Sequence, residues 1–177
     1  MPDPTPTFNT PENQQIAREK LIACLNVSTT TTPTWAPIGY TVPDGSMEYD
    51  WGEDTSQDIL GIVRTTMKKP TVTQTFEGVK LYKGDPAYEM IWEQGIKNQD
   101  PQALCNRDIL VIHLYAGSAS ASFAERYPQS SIRPTSIGGE GGGFIEMPID
   151  VTYGGERTLG TATKNAETGV ITFTEAA

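Results

Sequence analysis

At 177 residues the chain can bury one proper core, and 37% hydrophobic content with 17 glycines and 13 prolines points to long loops or arms around a modest one. A formal net charge of −9 works against binding nucleic acid or anionic membranes and favours solubility and self-avoidance. No apolar run reaches the roughly 20 residues of a membrane span, and the start MPDPTPTFNTP has neither the basic nor the apolar region of an export signal, so the sequence reads as soluble and made in the cytosol.

Residues 1–11 hold four prolines and three threonines, too little apolar surface to order themselves, and the first 20 residues read as an N-terminal arm ahead of a single domain, 21–177. Between Asn9 and Lys20, Pro11 behind Thr10 suits either a short helix or a lead-in to the first strand, 21–27. The tract STTTTP at 28–33 is a turn, and a strand follows near 35–41. The next segment carries Asp44, Glu48, Asp50, Glu53, Asp54 and Asp58 with no Lys or Arg up to Ile62. Six like charges repel one another, which suits a surface facing solvent, a cation, or something that has to be kept from sticking. An extended piece near 48–59 leads into 56–69, which lacks a clean period and reads as a loop of about 14 residues, above the usual connection length and therefore functional.

A β-branched strand resumes at 71–81. Asp85-Pro86 supplies an N-cap and an N1 proline, and Ala87, Tyr88, Met90, Ile91, Trp92 and Ile96 make an apolar stripe at helical spacing, a helix that covers a sheet face. Gly95 weakens its last turn and Asp100-Pro101 ends it. Residues 109–115 are apolar on both faces and predict a central strand. Ile145, Met147, Ile149, Val151 and Tyr153 alternate with polar residues, and Pro148 among them argues for an edge strand or a bulge. A hairpin of 158–163 and 170–174 closes the chain. The sum is a mainly β protein, a β-sandwich or open barrel of two packed sheets with one flanking helix.

Chemistry is thin. His113, the one histidine, stands between Ile112 and Leu114 and reads as a buried, hydrogen-bonded core residue, and no serine occupies a nucleophile-elbow context. Cys24 and Cys105 lie in apolar runs without ligand spacing and read as two free buried thiols. GGEGGG at 138–143 lacks the Lys-Ser/Thr of a phosphate loop and precedes a strand, so it reads as a flexible or tightly turning hinge. The acidic segment lacks calcium-loop spacing, leaving adventitious divalent binding at most, and no aromatic-lined groove accompanies its carboxylates. The sequence therefore predicts no catalytic residue, no metal site and no cofactor.

The run TWAPIGYTVPDGSMEYDWGEDT, a loop, KKPTVTQTFEGVKL, GDPAYEMIWE and DILVIHLY resembles, in that order, the tail tube (major tail) proteins of long-tailed bacteriophages over most of residues 21–173. The resemblance implies a β-sandwich flanked by one helix, assembled into hexameric rings that stack into a hollow tube through which genomic DNA leaves the particle. It further implies a long hairpin loop between two early strands that reaches the adjacent ring, and this falls on 56–69, with Asp58, Leu60, Ile62, Arg64, Met67 and Lys68 as contact residues. Terminal arms bridge subunits in that family, and residues 1–11 are the candidate. The implied partners are other copies of the chain and tape-measure, tail-terminator and tail-tip proteins, with DNA passing unbound and the virion tail as location. A tube of a contractile injection particle or a tail terminator would use the same sandwich. On this resemblance some of Asp44, Glu48, Asp50, Glu53, Asp54 and Asp58 line the lumen; otherwise they decorate an outer surface. The alternative in another class is a secreted adhesin or carbohydrate-binding β-sandwich.

Overall fold

The apolar run around Ile109 dictates the centre of the fold, seen in a computed structural model that describes residues 7–118 and 120–176. The first three strands are β1 (Leu21–Asn26), β2 (Trp35–Ile38) and β3 (Met47–Asp50). A hairpin follows, β4 (Asp54–Gln57) and β5 (Val63–Thr66), and then β6 (Thr71–Phe76). Helices α1 (Pro86–Trp92) and α2 (Pro101–Leu104) precede β7 (Arg107–Ser118), β8 (Ala121–Pro134), β9 (Ile149–Tyr153), β10 (Thr158–Lys164) and β11 (Ile171–Glu175).

Nine strands form one sheet with the path β2-β1-β7-β8-β9-β6-β3, and β10-β11 joins it through β8. Every pairing is antiparallel. The two packed layers expected from the sequence are present and share one strand, since β8 belongs to both halves. Residues 122–126 of β8 pair with β10, and residues 131–134 pair with β9.

Burial follows from this path. Ile109 and Val111 of β7 join a large core with Leu25, Phe76, Ile132 and Ile149, while Leu110 and Ile112 face the other way onto Cys24, Ala162 and Ile171. A strand apolar on both faces is covered on both faces, as the sequence predicted. α1 closes the large core with Ala87, Tyr88 and Ile91. Its start is capped as expected: the Asp85 carboxylate accepts from the amides of Ala87 (3.0 Å) and Tyr88 (3.2 Å). Asp100-Pro101 does end the helical stretch, after a wide π turn at Glu93–Lys97, but the same Asp-Pro chemistry also caps α2, with Asp100 accepting from Gln102 and Ala103.

Four expectations need correction. The stretch 56–69 is an ordered hairpin, because Thr55, Thr65 and Val63 suit a ladder that closes on a tight turn. β8, the longest strand, was not foreseen; its Ser, Arg, Gln and Pro content hides a period that pairing on both edges enforces. Pro148 sits just ahead of β9, an interior strand between β8 and β6, so its missing N–H falls outside the ladder and neither an edge nor a bulge is needed. Cys105 is exposed beyond α2, whereas Cys24 is buried, and burial pushes its thiol up to about 12.

The arm lies outside the described residues over 1–6. Its described end is tied to the domain, Asn9 N–H donating to the Tyr115 carbonyl and Gly117 N–H to that of Thr7, both at 2.9 Å. GGEGGG turns tightly, with Gly143 N–H donating to Glu140 (3.0 Å) and Gly138 N–H to Glu146 (3.1 Å). A Cβ on Gly139 would stand 2.3 Å from the Phe144 carbonyl oxygen, so a side chain is sterically excluded there. No helix among the described residues is long and apolar enough to cross a membrane.

Candidate functional site: the projecting hairpin and the polar sheet face

The hairpin β4-β5 is a separate two-stranded sheet, and all eight of its strand residues are exposed. Its turn is built by Asp58, whose Oδ1 accepts from the amides of Leu60 (2.9 Å) and Ile62 (3.0 Å). Gly61 takes a positive φ of 77°, which a β-carbon would oppose. At the root Gly52 also has positive φ, its amide donates to the Asp50 carboxylate at 2.9 Å, and Lys68 N–H donates to the Trp51 carbonyl at 2.9 Å. These local bonds let the ribbon stand without packing on the core.

Its tip is apolar. Ile59 is 102% exposed and Leu60 79%, with Ile62 and Val63 also open. None of them belongs to either hydrophobic cluster. The ribbon thus carries aliphatic side chains that its own fold leaves exposed.

The acids divide by role. Glu48 and Asp50 alternate with Met47 and Tyr49 along β3, and register places them opposite Thr73 and Thr71 of β6. The same face continues through Thr75, paired with Asp150, and through Thr73, Thr152 and Ser131. One side of this half-sheet is therefore hydroxyl and carboxylate, while Val72, Gln74, Phe76, Val151 and Tyr153 lie buried on the other. The cation Arg133 on this face is neutralised by Asp150 at 2.9 Å, and that hydrogen bond holds the Asp150 carboxyl below its usual range. Thr71, Thr73, Thr75 and Ser131 were not singled out in the sequence; the strict alternation of TVTQTF was the signal that could have found the three threonines.

Glu53 and Asp54 are exposed where the hairpin leaves the sheet, and Asp44 is exposed beside Gly45, its carbonyl accepting from Glu77 N–H at 3.3 Å. Asp58 stands apart from the others: its Oδ2 lies 3.8 Å from Arg64, a counter-charge just beyond the stretch without Lys or Arg. Of the candidate hairpin residues, Leu60 and Ile62 form the tip, Arg64 pairs with Asp58, and Met67 and Lys68 lie at the root. There they line a cavity of about 540 Å³ with Tyr49, Trp51, Tyr153 and Arg157. The aromatic-lined recess not legible in the sequence thus exists, assembled from β3, β9 and the hairpin root.

His113 is buried in β7. Its Nδ1 lies 2.7 Å from the Tyr115 hydroxyl and its Nε2 3.7 Å from Glu125, without a hydrogen-bond partner. Glu125 accepts from the Tyr127 hydroxyl at 2.6 Å and stands 3.5 Å from Arg157. Burial lowers the histidine pKa, against the pull of Glu125. The expected core histidine is present, with one ring nitrogen bonded. Among the described residues no group of three or more His, Cys, Asp or Glu is placed to hold a metal ion.

No protein-family model matches the chain, and no curated protein does. Among solved structures it is similar to a chain of the sheath–tube complex of an extracellular contractile injection system, PVC, in the extended state: TM-score 0.49, 8% identity, 85% of this chain and 94% of that one. It is also similar to the tube-terminating cap of the anti-feeding prophage, at TM-score 0.46 and 15% identity over 87% and 96% of the two chains. The PVC sheath/tube terminator, extended state, gives TM-score 0.47 and 9% identity over 84% and 99%. Scores below 0.5 at such identities describe partial overlap of chain path, too little to carry a function across.

Proposed function

We propose that this protein is a non-catalytic structural subunit that assembles with its own copies into stacked hexameric rings, a phage-type tail tube that conducts DNA. The observation that carries the reading is the hairpin β4-β5, fully exposed, ordered by its own turn and tipped with aliphatic side chains that its own chain leaves bare. An isolated ribbon of this kind gains its stabilisation from a neighbour, and the outer edges of β2, β3 and β11, unpaired among the described residues, are further places where copies can join. The segment resemblance to tail tube proteins supplies the geometry of ring and stack.

On this reading the polar face of β3-β6-β9 lines the bore, with Glu48 and Asp50 at its acidic margin and Glu53 and Asp54 continuing it toward the next ring. Duplex DNA carries one negative charge per ~1.7 Å of axis and the Debye length is ~8 Å at physiological salt, so the lining repels DNA only at close approach, where adhesion has to be prevented. Tape-measure, terminator and tip proteins are the partners such a tube requires. Asp44 and Asp58 are left to the surface and to the turn.

The test is negative-stain microscopy and size exclusion of the purified chain and of a variant in which residues 56–69 are replaced by a short turn. The reading expects rings or tubes with a central hole from the first and folded, unstacked subunits from the second. Long tubes from the deletion variant would overturn it. A second reading, a carbohydrate-binding module, draws on the cavity walled by Tyr49 and Trp51; a persistent monomer with measurable sugar affinity would favour it.

A further inference from the structure

Glu125 sits in the middle strand of three, with a basic side chain approaching it from each edge. On one edge β7 pairs Val111 with Glu125 and His113 with Phe123, so the imidazole lies diagonally across from the carboxylate. On the other, β10 pairs Leu159 with Glu125 and Thr158 with Arg126, which brings Arg157 to the opposite diagonal. Both reach the same oxygen: Arg157 Nη1 donates to Glu125 Oε1 at 3.5 Å, and His113 Nε2 stands 3.7 Å from it with no hydrogen-bond partner. Oε2 is occupied by the Tyr127 hydroxyl at 2.6 Å, and His113 Nδ1 by that of Tyr115 at 2.7 Å. The other strand beside His113, β1, sets Leu21 opposite it. Tyr49 of β3 is a further titratable neighbour, its hydroxyl pKa pushed up by burial and then by Glu125 and Tyr115.

We infer that Glu125 holds one cation at a time, Arg157 while His113 is neutral and His113 once it is protonated, so that acidification releases Arg157 into the recess at the hairpin root. When solvent supplies the second ring proton, Nε2–H donates to Glu125 and Nδ1–H to the Tyr115 hydroxyl, and the ring no longer has an unpartnered nitrogen. Two cations then face one carboxylate, and burial decides which of them leaves. The His113 side chain is 11% exposed and that of Arg157 41%, so only the guanidinium can regain water by swinging outward. It already lines the recess with Trp51, Lys68 and Lys69, and no acid stands among the lining residues to recapture it. Acidification therefore makes the recess wall more cationic. Burial holds the His113 pKa down, Glu125 pulls it up and Arg157 pushes it down again, as two groups competing for one counter-charge must. The device needs no second copy, so it is independent of the tube reading.

The experiment uses the full chain, kept dilute enough to stay unassembled. His113 is the one histidine, so its ring gives a single resonance in isotope-labelled protein. That resonance and the side-chain Nε–H signal of Arg157, assigned by its loss in Arg157→Gln, are followed between about pH 8 and pH 5. Both should move with a common midpoint. In Arg157→Gln the histidine should charge at higher pH, and in Glu125→Gln at lower pH with the Arg157 signal no longer following it. Arg64→Gln, which removes a cation from the hairpin, should leave the midpoint in place. If Glu125→Gln fails to fold, Arg157→Gln decides alone, because its side chain is partly in solvent. An Arg157 signal that stays still while His113 titrates, an unmoved midpoint in Arg157→Gln, or a histidine that remains neutral until the chain unfolds would each overturn the inference.

Discussion

Asp58 presents one oxygen to the amides of Leu60 and Ile62 and the other toward Arg64, so its charge is engaged inside the turn. Asp58→Ala should leave the thermal midpoint nearly unchanged, because the hairpin contributes to neither core. It should speed hydrogen exchange at Leu60 and Ile62 several-fold or more, each lost bond being worth about 1 kcal/mol locally. His113 makes the opposite case, a neutral group whose burial matters globally. Its folded pKa lies below the ordinary value of ~6.5, so the unfolded chain binds the proton first and stability falls as pH drops below about 6.5. Asp150, also depressed, works in a lower window: its contribution is present above its ordinary range near 3.9 and is lost as pH falls through the folded value. Thermal unfolding between about pH 7 and pH 5 should therefore flatten in His113→Gln, and an unchanged slope would remove the assignment.

Among the elements, the helical stretch shows how context reverses a propensity. Glycine in a helix ordinarily costs about 1 kcal/mol relative to alanine, so Gly95→Ala would be expected to stabilise the turn after α1. Here a Cβ would stand 2.6 Å from Cγ and 2.8 Å from Cδ of Pro134, a rigid ring at the end of β8. The substitution should instead destabilise by roughly 1–3 kcal/mol, read as a lower urea midpoint with unchanged slope. The caps of α1 and α2 were legible because Asp-Pro is local chemistry. From its residues the hairpin was legible only as an oversized connection, and only the segment resemblance implied a hairpin there, since its ladder depends on Asp58 and Gly61 closing a turn with no apolar period to announce it. The acidic character of the hairpin approach could be read directly; which acids share a face with Thr71, Thr73 and Thr152 could not, because that is set by pairing register between distant segments.

Across the whole molecule, stability should be graded from the shared strand outward. Amides of residues 109–112 and 123–127, flanked by strands and contributing to both cores, should exchange only through global unfolding, while those of β4 and β5 exchange orders of magnitude faster. Comparable protection in the two regions of the unassembled chain would contradict a free-standing hairpin. What the sequence alone determined is whatever depends on near neighbours: the β class, the central apolar strand, the capped helix, the closing hairpin, the acidic surplus and the lack of a catalytic motif. What only the tertiary structure decided is whatever depends on long-range pairing: β8 serving both halves of one sheet, the hydroxyl-rich face, and the aromatic recess at the hairpin root. Local chemistry selects elements, but faces and cavities arise from which strands become neighbours, and β8 carries too little period of its own to say with which it will pair.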